Sequence, residues 1–359
     1  MIYEDYAIFT PGPVKMSDEI LKIGAKQTPY FRNKEFSDVT FACEKNLLEM
    51  VNAPEGSKVI FLTASGTAGM ESVVMNFLNK EDNALVVNGG GFGARFVQIC
   101  ETYAVPHTNF KVKNTNLTDI ENVAPNENYT ALVVNAHETS IGQLYDLDAM
   151  GEYALKNDML YIVDAISMFV TDPLDMQHSN IDVVIIGSQK GLALPPGMAM
   201  VVLSPKAINK LQTINSLYFN FKDYLSNGER GQTPYTPAVT IMLQLEARLQ
   251  QINNRGGISN SIANAQEVAN YFRQSIKALP LKESSPYLPN AMTALTPTDG
   301  QSAMEIVKVL EEKYKVMVCP NGGEERDLVF RISHMGEMTK DYTDILINAL
   351  YDYYAIARD

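Results

Sequence analysis

The chain has 359 residues, 46% hydrophobic and 20% charged, enough for one large domain plus a smaller one with an ordinary globular core. Its formal net charge of −13 argues against general affinity for nucleic acid or an anionic membrane surface, and no apolar run approaches the roughly 20 residues of a membrane span. Cys43, Cys100 and Cys319 show neither zinc spacing nor a disulfide framework, and Met1-Ile2-Tyr3-Glu4-Asp5 lacks the basic and apolar regions of a signal peptide, so a cytoplasmic protein without a metal is expected.

From about residue 59 to about residue 203, short apolar runs alternate with helical patterns. The runs predict strands at Val59–Thr63, Ala84–Asn88, Ala131–Asn135, Leu160–Asp164, Asp182–Gly187 and Met198–Leu203. Between the first two, Met70, Val73, Val74, Phe77 and Leu78 recur at helical spacing. This alternation predicts an α/β fold with a mainly parallel sheet covered on both faces. Ala238–Ile252 reads as a long helix, and Asn253-Asn254-Arg255-Gly256-Gly257 breaks it. The break divides the chain into residues 1–255, an amino-terminal segment plus a large domain, and residues 256–359, a small α+β domain. The small domain is expected to hold helices near 259–278 and 302–314, strands near 291–296 and at Leu328–Ser333, and a closing helix at Thr339–Ile356.

Several residues suit chemistry at the carboxyl edge of such a sheet, where open α/β folds place ligands. Ser65-Gly66-Thr67-Ala68-Gly69 separates the first strand from its helix. Ser65 is a suitable N-cap, and the free N–H groups beyond it form either a phosphate site or an ordinary capped turn. The segment is not a Walker loop, and Gly89-Gly90-Gly91-Phe92-Gly93 is not a dinucleotide fingerprint. Phe92 either packs into the core at the start of a helix over 92–103 or presents its ring to a flat ligand. Asp164 ends its strand on the face of Leu160 and Ile162, where a carboxylate is costly unless paired. It either caps the next turn or holds a protonated pyridine nitrogen. Lys190, in Gly187-Ser188-Gln189-Lys190-Gly191, follows the next strand but for three residues and reaches the same edge. A solvated loop lysine is the plain alternative, but its amine can also form a Schiff base with an aldehyde. Arg331 alternates with Phe330 and Ile332, and its fork matches a carboxylate. A phosphate nest, a stacking ring, a buried Asp and a strand-end Lys, in this order, describe a site for pyridoxal 5'-phosphate.

The ordered set of motifs resembles the class V, fold-type I aminotransferases, within them the alanine–glyoxylate and serine–pyruvate branch. It runs from Thr10-Pro11-Gly12-Pro13 through Ser65–Glu71, Gly91-Phe92-Gly93-Ala94-Arg95, Glu138–Gly142, Val163–Ser167 and Gly187–Lys190 with Pro195-Pro196-Gly197, to Phe330-Arg331-Ile332. The resemblance implies a large domain with a mainly parallel sheet and a smaller α+β carboxyl-terminal domain. It implies that Lys190 carries the Schiff base, Asp164 holds the pyridine nitrogen, and Phe92 and Ile166 cover the two ring faces. Ser65, Gly66, Thr67 and Gln189 are then phosphate ligands, and Thr139 lies near the ring oxygen. Arg331 takes the substrate carboxylate beside the Gly12 backbone. Tyr235 and Thr236 reach the cofactor phosphate of the partner in a homodimer with shared sites. His137, in Ala136-His137-Glu138-Thr139, is one position out of the family pattern and receives no catalytic role. Arg32, in a segment resembling a loop at the edge of the site, is either a site residue or a surface arginine.

The function expected is transamination between a small amino acid and a 2-oxo acid of the pyruvate or glyoxylate class, with Lys190 moving the proton. A 2-aminoethylphosphonate–pyruvate transaminase is the near alternative. A cysteine desulfurase-type lyase is further away, because Gln189 stands where desulfurases usually carry His and no cysteine lies in an obvious mobile loop.

Overall fold

Seven strands form one sheet in the order Lys58–Leu62, Ala199–Leu203, Val183–Gly187, Leu160–Asp164, Ala131–Asn135, Ala84–Asn88, His107–Lys111. The computed structural model describes residues 5–125 and 127–358, so the Met1–Glu4 part of the leader reading lies outside the described residues. All neighbouring strands run parallel except Ala199–Leu203, which is antiparallel to both of its neighbours. The central runs are buried at every position, as Val183–Gly187 is, because helices cover both faces. Tyr161 and Val163 pack into one hydrophobic layer, and Leu160 and Ile162 into the other.

The strand positions follow the expected runs to within one residue at each end, and the ends have local causes. The first strand closes at Leu62 because Thr63 turns its hydroxyl to the Ala238 N–H (2.8 Å) and its carbonyl to the Tyr218 hydroxyl (3.2 Å). Asp182 is left outside its strand. Its carboxylate accepts the Tyr161 N–H at 2.9 Å and pairs with Lys206 at 2.9 Å. Further along the chain, Phe330–Ser333 starts two residues late because the Leu328 and Val329 N–H groups donate to the Glu325 carbonyl.

Several elements had no counterpart in the sequence reading, and three of them belong to the large sheet or to the helices around it. The helix Lys34–Met50, capped by Asn33, buries Phe36, Thr40, Cys43, Leu47 and Met50 on one stripe against the long helix Val239–Asn254. A short helix, Asp18–Gly24, lies beside it on the same long helix. His107–Lys111 is a partly exposed edge strand of low apolar content.

Beyond Gly256 and Gly257, both with positive φ, a four-stranded antiparallel sheet runs Leu281–Glu283, Met292–Pro297, Phe330–Ser333, Cys319–Pro320. Helices Gly257–Ser275, Ala303–Tyr314 and Lys340–Tyr354 pack around it. Its hydrophobic cluster also takes in Phe9, because Ala7–Ile8 forms a parallel pair with Val316–Met317. The amino-terminal segment is further fixed there by the Ser333 N–H to the Phe9 carbonyl (2.8 Å) and the Glu337 N–H to the Lys15 carbonyl (3.1 Å).

Candidate active site

Parallel strands in register bring Asn135, Asp164 and Ile185 side by side, and Lys190 follows the strand that contains Ile185. Asp164 is 1% exposed. One carboxylate oxygen accepts the Ile166 N–H at 2.9 Å, the other the Asn135 amide at 3.0 Å. Burial pushes its pKa up to about 6, against the pull of those two hydrogen bonds and of Lys190. Lys190 shows the converse: burial, and then the Arg331 charge, bring its amine down to about 8, with Asp164 opposing. The ammonium donates to the Pro11 carbonyl. The amino-terminal segment passes so close that a Cβ on Gly12 would lie 2.9 Å from Lys190 Cδ and Cε, and the Gly12 φ of +138° is itself one that side-chain-bearing residues avoid.

Ser65 caps the helix Gly66–Phe77, its hydroxyl accepting the Ala68 N–H at 3.4 Å. A Cβ on Gly66 would lie 2.6 Å from Ile166 Cδ1, so the glycine lets the helix start pack directly against the residue that follows Asp164 by two. Ile166 also adjoins Gly187, as does the Gln189 side chain. Phe92 is half-buried and belongs to none of the hydrophobic clusters, which removes the core reading of its ring. Thr139 is 1% exposed and its hydroxyl is a buried group without a partner. Arg331 lies above it, Nη1 3.5 Å from the Thr139 carbonyl and Nη2 donating to the Pro320 carbonyl (2.9 Å) and Cys319 Sγ (3.1 Å). Phe92, Arg95, Ser140, Asn321 and Arg331 line one cavity of ≈ 420 Å³.

Tyr235, Thr236 and Arg32, also named from sequence, are not part of these contacts. The Tyr235 ring stacks on Tyr218 at 5.3 Å and its hydroxyl donates to the Leu217 carbonyl, while Thr236 is exposed. Arg32 is engaged by its own chain: it donates to the Gln232 side chain and to the Thr233 and Pro234 carbonyls and lies over Phe31. It fixes the loop before Tyr235 and does not enter the site. His137 is buried, and burial holds its ring near a pKa of about 3, a neutral imidazole whose Nδ1 is 3.5 Å from the Ser167 carbonyl.

Glu138 is the functional residue that sequence reasoning missed. It is fully buried, and its carboxylate accepts the N–H groups of Phe92 (3.2 Å), Gly93 (3.0 Å) and Ser140 (3.2 Å) and the Ser140 hydroxyl (2.6 Å). The helix Gly91–Thr102 has only Gly90 at its N-cap, with no capping side chain of its own. Glu138 therefore caps it from another strand, its negative charge against the positive end of the helix, and sets the position of Phe92. Glu138→Ala strands those donors, and chemical denaturation is expected to show a loss of about 2–4 kcal/mol, with Glu138→Gln losing less. An alanine variant within 0.5 kcal/mol of the parent, roughly the effect of a neutral surface change, would contradict this capping role.

The sequence model of the family described as Aminotransferase class-V matches residues 25–326, and the chain belongs to that family. It is 31% identical over 355 residues to an uncharacterized aminotransferase of Helicobacter pylori (strain J99), covering 96% of this chain and 92% of that one. It is 26% identical over 345 residues to the L-aspartate–glyoxylate aminotransferase of Paracoccus denitrificans, covering 92% and 87%. The fold superposes with a TM-score of 0.90 on the crystal structure of an alanine–glyoxylate aminotransferase from Nostoc sp., at 21% identity and with 97% and 95% of the chains covered. The architecture is that of the fold-type I aminotransferases, and the enzyme class is the pyridoxal-phosphate-dependent aminotransferases. Among the described residues no helix is long and apolar enough to cross a membrane, and no group of three or more side chains of metal-binding type is gathered.

Proposed function

We propose that this protein transfers an amino group from a small α-amino acid to a 2-oxo acid of the pyruvate or glyoxylate class, using pyridoxal 5'-phosphate anchored on Lys190. The observation that carries the reading is a buried Asp164 carboxylate at the end of a central strand together with Lys190 past the neighbouring strand, its amine held by the Pro11 carbonyl and its pKa brought down to about 8. The residues present fit the cofactor. Asp164 would meet the pyridine nitrogen, and the carboxylate's burial, costly alone, is offset by a cation placed there. The helix start at Ser65, Gly66 and Thr67, with Gln189, would receive the phosphate. The unpartnered Thr139 hydroxyl would donate to the ring oxygen. Phe92 and Ile166 would hold the ring between them.

When bound, the cofactor supplies an electron-accepting ring for the negative charge that develops at the substrate Cα. Arg331 fixes the substrate carboxylate and so orients that Cα–H bond. Lys190 Nζ, neutral at mildly alkaline pH, takes the Cα proton and hands it on. The Pro11 carbonyl, already the partner of the ammonium, holds the amine in place while it carries the proton. Two half-reactions share one site, which gives ping-pong kinetics. Tyr235 and the exposed Thr236 suit a contact to the phosphate site of a second copy in a homodimer. The unit 256–359 would then be the part that grips substrate and 1–255 the part that holds cofactor. The free Cys43, Cys100 and Cys319 suit a reducing cytoplasm.

Two of the similar proteins, the L-aspartate–glyoxylate and the alanine–glyoxylate aminotransferases, differ in amino donor and share glyoxylate, which favours glyoxylate as acceptor. Cys319 sits on a short strand against Arg331, which disfavours a desulfurase that delivers a cysteine on a loop. The test is a half-reaction with alanine, serine or aspartate as sole donor, followed by pyruvate or glyoxylate. At least one donor is expected to release its oxo acid stoichiometrically, and Arg331→Gln to raise its KM by about 10–100-fold. Turnover with 2-aminoethylphosphonate alone would replace this reading by the phosphonate one. Failure to take up any cofactor would overturn both.

A further inference from the structure

Arg95 is an arginine that the mechanism does not use. It sits near the amino end of the helix Gly91–Thr102, where the helix dipole disfavours a cation. Among the described residues no carboxylate pairs with it. Its guanidinium instead makes two contacts. Nη1 donates to Thr67 Oγ1 at 2.9 Å, joining two helices, and the guanidinium carbon lies 5.1 Å from the centre of the Phe92 ring.

Each contact has a chemical consequence. A hydroxyl has one proton and two lone pairs. Once the Thr67 oxygen has accepted from a cation, its own proton must point elsewhere, and the charge polarises it into a stronger donor. The Thr67 proton donates to no group of the chain among the described residues. Thr67 lies in the first turn of the helix Gly66–Phe77, beside the free N–H groups that suit an anion. The second contact covers one face of the Phe92 ring with a cation, restrains the ring, and leaves its other face free.

We infer that Arg95 is a positioning residue for the cofactor, aiming the Thr67 hydroxyl at the phosphate and fixing the Phe92 ring against the pyridine. The inference rests on the cofactor assignment proposed above. It predicts a role that depends on the phosphate more than on the ring, so two ligands separate it from general stability: pyridoxal 5'-phosphate and pyridoxal, which lacks the phosphate.

The experiment measures the dissociation constants of both ligands for wild type, Arg95→Met and Arg95→Lys by equilibrium dialysis, with visible circular dichroism of the bound ligand. Arg95→Met is expected to weaken pyridoxal 5'-phosphate by about 10–100-fold, the scale of a charge-assisted hydrogen bond, and pyridoxal by roughly 3-fold. The dichroic band of the bound ligand should fall with it, as the ring loses its fixed setting. In a Thr67→Val background, Arg95→Met should no longer change the ratio of the two affinities. Arg95→Lys keeps the charge but not the planar fork, and should lose about 3-fold in that ratio. If Arg95→Met does not fold, the lysine variant decides: an unchanged ratio overturns the inference. So does an Arg95→Met protein that binds pyridoxal 5'-phosphate within twofold of wild type, or one that loses both ligands by the same factor. A wild-type protein that binds neither ligand would instead sink the functional reading on which this rests.

Discussion

Replacing Lys190 by methionine is expected to slow release of the oxo acid by ~10⁴-fold or more, because one substitution removes both the proposed covalent anchor and the proposed proton carrier. The cofactor should still bind, held by the phosphate cradle and Asp164, but borohydride should no longer fix it to the chain. Mass spectrometry of the peptide containing residue 190 reads this directly: a cofactor adduct in wild type, none in the variant. Methionine keeps the stem against Gly12 and removes the charge. A lowered amine pKa means that the folded state disfavours the ammonium, so wild-type apoprotein gains stability as pH rises from about 8 towards 10.5, the window between the folded and model values. The methionine variant should lose that dependence and be the more stable apoprotein below pH 8. Full activity in Lys190→Met would remove the lysine from the mechanism.

Asp164→Asn should move two properties in opposite directions. The Asp164 pKa is raised from 3.8 to about 6, so the folded apoprotein loses stability as pH rises through that interval, and the cost is fully present above it. At neutral pH the cost is about 3 kcal/mol, taking 1.36 kcal/mol per unit. Asparagine removes the charge and keeps the shape. Its carbonyl can still accept the Ile166 N–H. Its new amide takes the place of the oxygen that accepts from Asn135, and with the Asn135 side chain turned over it donates to the Asn135 oxygen. Denaturation of the apoprotein at pH 8 should therefore show the variant more stable, with the difference shrinking below pH 6 and vanishing below 3.8. Under the proposed assignment, the same change would leave the pyridine nitrogen without its anion. Cα proton removal should slow by at least about 10²-fold, read by exchange of the substrate Cα hydrogen in heavy water. A variant that is both less stable as apoprotein and undiminished in exchange would contradict the assigned role.

Much of this site was legible because its residues break local rules. A carboxylate at the end of Leu160-Tyr161-Ile162-Val163 and a lysine just past Val183–Gly187 are misplaced in a buried sheet unless something pairs with them. The Ser65 cap was equally plain, since Ser before Gly-Thr at a strand's end is a local signal. What stayed hidden depends on distance along the chain. Glu138 reaches Phe92 across 46 positions and Arg95 reaches Thr67 across 28, and neither pair has a spacing that marks it. The Arg32 guanidinium was ambiguous because its three acceptors lie some 200 residues away. The helix Lys34–Met50 is a different case: its stripe of Phe36, Cys43, Leu47 and Met50 was present in the sequence, but interleaved with polar residues and with the exposed Phe41.

The pairing of Ala7–Ile8 with Val316–Met317 has a consequence for how the enzyme is made. The strand that anchors the earliest part of the chain is synthesised more than 300 residues after it. During translation the sheet, the Ser65 turn, Asp164 and Lys190 can all form while residues 7–15 have nothing to dock on. The Pro11 carbonyl reaches the lysine only when Val316–Met317 has emerged and joined its own sheet. Closing so long a loop is entropically costly and comes late. The newly made protein is thus expected to pass through a stage in which the lysine is uncovered, its environment being set only once the amino-terminal segment has docked.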